Sequence, residues 1–132
     1  QGEDARLASL TAAMIVGARL VYPSGNEWGV QPKILKYAFN QVSWILGKNP
    51  YGMCMMYGYG HKNVPYMASM YGHGSGKGGI SNGITGKDGY ADGSGIDFKV
   101  ADNGNEWRWS EQWIPHTGWF LQALTALAPR EK

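Results

Sequence analysis

The sequence predicts an all-α fold carrying long, ordered, glycine-rich loops. Three observations predict it. Apolar residues recur at helical spacing in three separate stretches, no segment alternates convincingly as a strand does, and glycine is concentrated between residues 58 and 104. At 132 residues the chain has the size of one ordinary domain, long enough to bury a core.

The first helix is expected over residues 4–21. Leu7, Leu10, Met14, Ala18 and Val21 mark one apolar stripe, and Glu3 and Asp4 suit the positive end of the helix dipole. Tyr22, Pro23, Ser24 and Gly25 stop it. Pro32 suits the first turn of a second helix that runs to about Leu46. Ile34, Leu35, Ala38, Phe39, Val42, Ile45 and Leu46 give it a wide apolar face. Gly47 is a typical C-terminal residue, and Pro50 prevents continuation. The third helix begins between Glu111 and Pro115 and ends before Pro129, with Thr117, Phe120, Leu121, Leu124 and Leu127 on its inner face. Three helices this apolar expect neighbours beyond those they give one another.

From residue 51 to residue 103 periodicity disappears. Runs such as GHGSGKGGISNGITG bury too little side chain for regular elements. A long structureless segment in a compact domain is usually functional or disordered. Tyr57, Tyr59, Tyr66, Tyr71 and the neighbouring methionines argue for order, with loops wrapped over a helical scaffold.

Composition excludes several classes of function. Net charge is +2 without a Lys/Arg cluster, so neither nucleic acid nor an anionic membrane is an expected partner. No apolar run is long enough to span a bilayer. Cys54, the single cysteine, forms no intrachain disulfide, and its methionine neighbours suggest a buried inert thiol. His61, His73 and His116 lack zinc-ligand spacing. No cofactor and no metal are expected. Asp88, Asp92 and Asp97 could share a structural calcium ion, but the register is not that of an EF-hand, and solvated loop carboxylates explain them better.

Chemistry is concentrated in residues 102–128. Asp102, Glu106 and Glu111 alternate there with Trp107, Trp109 and Trp113, ahead of the last helix. Sugar rings stack on aromatic faces, and carboxylates bind hydroxyls or move protons. Glu111 at a helix start could be a capping or dipole residue. It could equally be a general acid walled by Trp109 and Trp113, because desolvation favours the protonated, proton-donating carboxyl. Residue chemistry alone leaves both open.

The segment KYAFNQVSWILGKNPYGMCMMYGYG resembles glycoside hydrolase family 9. There a helix with a Q-x-x-Y-I-L-G-x-N-P signature runs into G-x-S-x-x-x-G-x-G. Gln41, Ile45, Leu46, Gly47, Asn49, Pro50, Gly52, Gly58 and Gly60 stand at the matching positions. Residues 78–83, GGISNG, resemble the family's GGPNGG loop, and the end of the chain resembles its closing Asn-Glu and last barrel helix. The resemblance spans roughly residues 5 to 128. It implies an (α/α)6 toroid, with residues 1–132 as the C-terminal part of a single catalytic domain. Gln in place of Met at position 1, with no signal segment after it, agrees with a processed chain or a piece of a longer one.

The resemblance also implies hydrolysis of β-glucosidic bonds with inversion of configuration. The family's general acid is its late Glu, and its base is an Asp in an early DxGD-type motif that nothing here matches. Asn105-Glu106 reproduces the family's dipeptide, but the register of the closing helix favours Glu111 as the acid, with Glu106 second. Tyr57, Tyr59, His61, Trp107 and Trp109 are expected to line the cleft. The partners implied are a β-linked glucan or oligosaccharide and the remainder of the catalytic domain. Without that remainder the chain should be inactive. A secreted or periplasmic bacterial enzyme is implied. One departure bears on substrate. The family's His-His-Arg sugar-binding motif is replaced by HKNVPYMASMYGHG, where His61 or His73 could serve but the arginine is missing. That points to a glucan or short oligosaccharide other than standard cellulose. Two other classes fit the same aromatics and acids, namely a non-catalytic glycan-binding protein and a polysaccharide lyase using Tyr and His on a related toroid.

Overall fold

A computed structural model describes residues 2–68, 74–85 and 107–130. Four helices stand among the described residues: α1 (Glu3–Val21), α2 (Pro32–Ile45), α3 (Trp107–Ser110) and α4 (Ile114–Leu127). No strand occurs among them, only isolated bridges. α1 packs against both α4 and α2, and α2 also touches α4. The fold is all-α, as the periodicity predicts.

Each helix starts and stops for identifiable reasons. Pro32 and Pro115 occupy the first turns of α2 and α4, where the missing N–H costs nothing. Past the end of α2, Gly47 takes a φ of 117°. The Asn49 side chain then gathers the turn. Its amide donates to the carbonyls of Trp44 (2.9 Å) and Met53 (2.7 Å), and its oxygen accepts from the N–H groups of Tyr51 (3.1 Å) and Met53 (3.2 Å). The Asn-Pro of the signature thus welds the helix end to the loop that follows. α3 has only four residues, too short to show periodicity in the sequence.

The buried faces differ from the expected stripes. α1 buries Ala8, Ala12, Ile15 and Ala18, whereas Leu10 and Val21 point outward, Leu10 being 62% exposed. α4 buries Phe120, Ala123 and Ala126, leaving Leu121 64% exposed and Leu124 outside as well. The faces that α1 and α4 bury are the ones rich in small residues, which allow helices to pack closely. A fully buried Ile such as Ile15 or Ile45 then contributes about 1.5–3 kcal/mol. The larger side chains form second apolar faces, including Leu10, Val16, Leu20 and Trp119. A helix apolar on several sides is one that packs on several sides.

The glycine-rich region is ordered where it is described. Met55 N–H donates to the Ile45 carbonyl (2.8 Å) and Ser81 N–H to the Met55 carbonyl (3.0 Å). Tyr57 and residues 78–79 exchange two further backbone bonds, and Ser81 bridges to Gln112. Residues 54–57, 78–81 and 112 are therefore adjacent, which brings the loops to the segment between α3 and α4. Asn63 closes the 54–63 loop by donating to three carbonyls, those of Cys54, Met56 and Tyr59.

Candidate active site

Glu111 lies between α3 and α4. Its N–H donates to the Trp107 carbonyl (3.2 Å), completing the turn of α3. The N-cap of α4 is Trp113, and no side chain caps that end. Glu111 therefore does not open or cap the last helix, and the capping explanation falls. Gln112 fixes the segment from the other side. Its side chain accepts from Gly76 N–H (2.8 Å) and donates to the carbonyls of Gly76 and Gly79 (both 3.1 Å). A Cβ on Gly79 would collide with the Gln112 side-chain amide, so only glycine admits this bridge.

The Glu111 carboxyl is partly exposed and borders an open cleft of about 190 Å3, together with Gly2, Asn82, Trp113 and His116. Asn82 Nδ2 donates to Glu111 Oε2 at 3.4 Å and to the Trp107 carbonyl at 2.8 Å. Trp113 is 56% exposed, leaving indole surface beside the acid. His116 is buried on α4. Burial lowers its pKa, against the opposing pull of Glu111 and of a backbone hydrogen bond at Ile80, so the imidazole is neutral at neutral pH.

The first turn of α1 holds the loop that carries Asn82. Asp4 N–H donates to the Asn82 carbonyl (3.2 Å). Glu3 Oε2 accepts from Ile84 N–H (2.8 Å) and Trp44 Nε1 (3.4 Å). Burial raises the pKa of Glu3, and those two hydrogen bonds work against it. The Asp4 carboxyl is fully buried, and neither oxygen has a hydrogen-bond partner among the described residues. Burial pushes its pKa well above the usual carboxylate range, with the Glu3 charge adding to the effect. Gly83, at a φ of 89°, makes room for it, since a Cβ there would sit 2.7 Å from Asp4 Oδ1.

The remaining expected residues are dispersed. Trp109 is fully buried, edge-on to Tyr51 with ring centroids 5.2 Å apart. With no accessible face it cannot line a cleft, which corrects the sequence expectation; alternating acids and indoles do not reveal which rings turn inward. Trp107 is 42% exposed, and its carbonyl serves both Asn82 and Glu111. Tyr57 is half-buried against Tyr66, centroids 6.0 Å apart. Tyr59 is exposed but carries the Lys77 ammonium 5.2 Å over its ring, a cation–π contact. His61 is exposed. None of these four borders the cleft at Glu111. Glu106, His73, Asp88, Asp92 and Asp97 lie outside the described residues. Among the described residues no three His, Cys, Asp or Glu side chains gather as metal ligands.

Sequence reasoning placed Trp113 beside Glu111 but missed Asn82 and His116. Asn82 stood within the GGISNG loop and Trp113 beside Glu111, but only the pairing of Ser81 with Gln112 brings those segments together. Chemically, the arrangement offers one partly exposed carboxyl, a fixed amide donor, a neutral imidazole and an indole face. That set can donate a proton to an oxygen of a bound hydroxylic molecule.

Comparison with known proteins agrees with this architecture. The model of the family described as glycosyl hydrolase family 9 matches residues 4–95, ending before the segment that holds Glu111. The curated proteins contain no match. The match takes in α1, α2, the Asn49 turn and the loop that carries Asn82, which is most of the chain. On that match and its all-α fold, the chain belongs to glycosyl hydrolase family 9, the family of the (α/α)6 toroid.

Proposed function

We propose that this chain is the acid-bearing, C-terminal part of an inverting glycoside hydrolase that cleaves β-glucosidic bonds in a β-glucan or an oligosaccharide derived from one. Glu111 is the general acid. The observation that carries this reading is its seat: a carboxyl released from capping, at an open cleft with an indole beside it and an amide donor on one oxygen. In the reaction the protonated Glu111 gives its proton to the glycosidic oxygen as the bond to the anomeric carbon breaks. A water molecule, deprotonated by a second carboxylate on the opposite face, forms the new bond with inversion. The two carboxyls must stand about 6.5–9.5 Å apart to admit that water.

The second carboxylate comes from the remainder of the catalytic domain, whose helices cover the outer apolar faces of α1 and α4 and complete the toroid. Trp107, Tyr57, Tyr59 and His61 contact more distant sugar units, while Trp109 supports the wall from within the core. The enzyme is secreted or periplasmic, where polymeric glucan is found. No helix among the described residues is long and apolar enough to cross a membrane.

The test is the stereochemistry of the first product. Proton NMR of a fresh digest of a β-linked glucan oligosaccharide by the complete catalytic domain should show the α-anomer first, relaxing to the equilibrium mixture. A β-anomer first, an unsaturated product or no hydrolysis would contradict the proposal.

A further inference from the structure

The loop over residues 80–84 is anchored at every residue, and each anchor is a different neighbour. Ile80 N–H donates to Thr117 Oγ1 (3.1 Å), Ser81 N–H to the Met55 carbonyl (3.0 Å) and Gly83 N–H to the Trp109 carbonyl (3.3 Å). The Asn82 carbonyl accepts from Asp4 N–H (3.2 Å), and Ile84 N–H donates to Glu3 Oε2 (2.8 Å). A loop of this composition has no intrinsic stiffness, so five separate anchors mark a segment whose position is used. Of its buried side chains, those of Ile80, Ser81 and Asn82, the one that borders the cleft at Glu111 is the Asn82 amide.

The orientation of that amide is determined by its partners. The Trp107 carbonyl can only accept, so the NH2 group must face it, and its second hydrogen meets Glu111 Oε2. Trp107 and Glu111 are already joined by the Glu111 N–H. Asn82 therefore ties the acid's side chain to the turn that carries its backbone.

We propose that Asn82 is the positioning residue of the Glu111 acid, held by the first turn of α1 and joined to one carboxyl oxygen by its amide. The proposal rests on Glu111 being the acid. An amide donor binds a carboxylate more strongly than a neutral carboxyl. The contact therefore tightens as Glu111 releases its proton, which favours the transition state over the ground state. It also restricts rotation of the carboxyl and leaves the other oxygen free of Asn82. Asp4 and Glu3 act one step further back, by fixing the loop.

The experiment compares two substrates in the complete catalytic domain: an unactivated β-glucan oligosaccharide, whose leaving alkoxide needs a proton, and a dinitrophenyl β-glycoside, whose leaving group does not. Asn82→Ala should lower kcat on the first by about 10- to 100-fold, the cost of a misplaced catalytic group, and change the second little. The basic limb of the pH–rate profile should move upward. A merely structural role would depress both substrates together and leave the limb in place. Asn82→Asp, which keeps the side-chain shape, gives the second reading should the Ala variant not fold. Two carboxyls then share a proton, with the same selective loss and a larger upward shift of the limb. Glu111→Gln runs alongside. If it loses the unactivated substrate selectively while both Asn82 variants affect the two substrates equally or not at all, the proposal is overturned and the acid stands. If Glu111→Gln shows no selectivity, the assignment of the acid fails and the role of Asn82 with it.

Discussion

Asp4 lies in the first turn of α1, where the helix dipole favours a carboxylate by about 0.3–1 kcal/mol. It is nevertheless fully buried, with neither oxygen hydrogen-bonded among the described residues, and an unpaired buried charge costs several kcal/mol. Burial wins, so the folded protein keeps Asp4 protonated where the unfolded chain releases the proton, above about pH 4. The folded state then binds more protons than the unfolded one. Stability is therefore greatest below that pH and falls as pH rises, until Asp4 itself ionises. The slope reaches at most about 1.4 kcal/mol per pH unit for one proton. Asp4→Asn keeps the shape of the side chain and removes the proton. Urea unfolding of wild type and variant between about pH 5 and pH 8 should show the variant gaining relative stability with each step upward. Glu3, whose pKa burial also raises, adds a slope of the same sign to both proteins and cancels in the difference. Parallel stability curves, or a variant that loses ground as pH rises, would refute the reasoning.

The turn and the loop yield two more expectations. Asn49→Ala removes four hydrogen bonds from the end of α2 and strands the Met53 carbonyl and two N–H groups, while the Trp44 carbonyl keeps the Gly47 N–H. It should cost about 2–4 kcal/mol in urea unfolding, and a loss under about 1 kcal/mol would count against the Asn as the weld. Gly83→Ala places a Cβ at positive φ and 2.7 Å from Asp4 Oδ1, which should cost about 1–3 kcal/mol. Part of that cost should disappear in an Asp4→Ala background, and strict additivity in the double-mutant cycle would show that the two residues do not meet.

Much of the scaffold was legible in the sequence because its signals are local. Pro32 and Pro115 start helices, Gly47 ends one, and the ILGKNPYG segment carries both a fold signature and the Asn that makes it work. Burial was less legible. Leu10 and Leu121 keep helical spacing but lie outward, because the faces buried where α1 and α4 pack are those that carry Ala8, Ala12 and Ala123. α3 escaped notice since one turn has no period. The site was only half legible for a topological reason. Glu111 could be picked out from its register, whereas Asn82 and His116 became its neighbours through the bridge between Ser81 and Gln112 and the packing of α1 on α4. Trp109 and Trp113 look alike in sequence, four residues apart in one aromatic cluster, yet one is sealed against Tyr51 and the other borders the cleft.

The central claim is that Glu111 supplies the proton, and Glu111→Gln in the complete catalytic domain tests it most directly. A glutamine keeps the shape and the oxygen that accepts from Asn82 but has no carboxyl proton to give. Hydrolysis of an unactivated β-glucan should fall by about 10²- to 10⁴-fold, with glycan binding retained. Hydrolysis at the wild-type rate would contradict the account and remove Glu111 from the reaction.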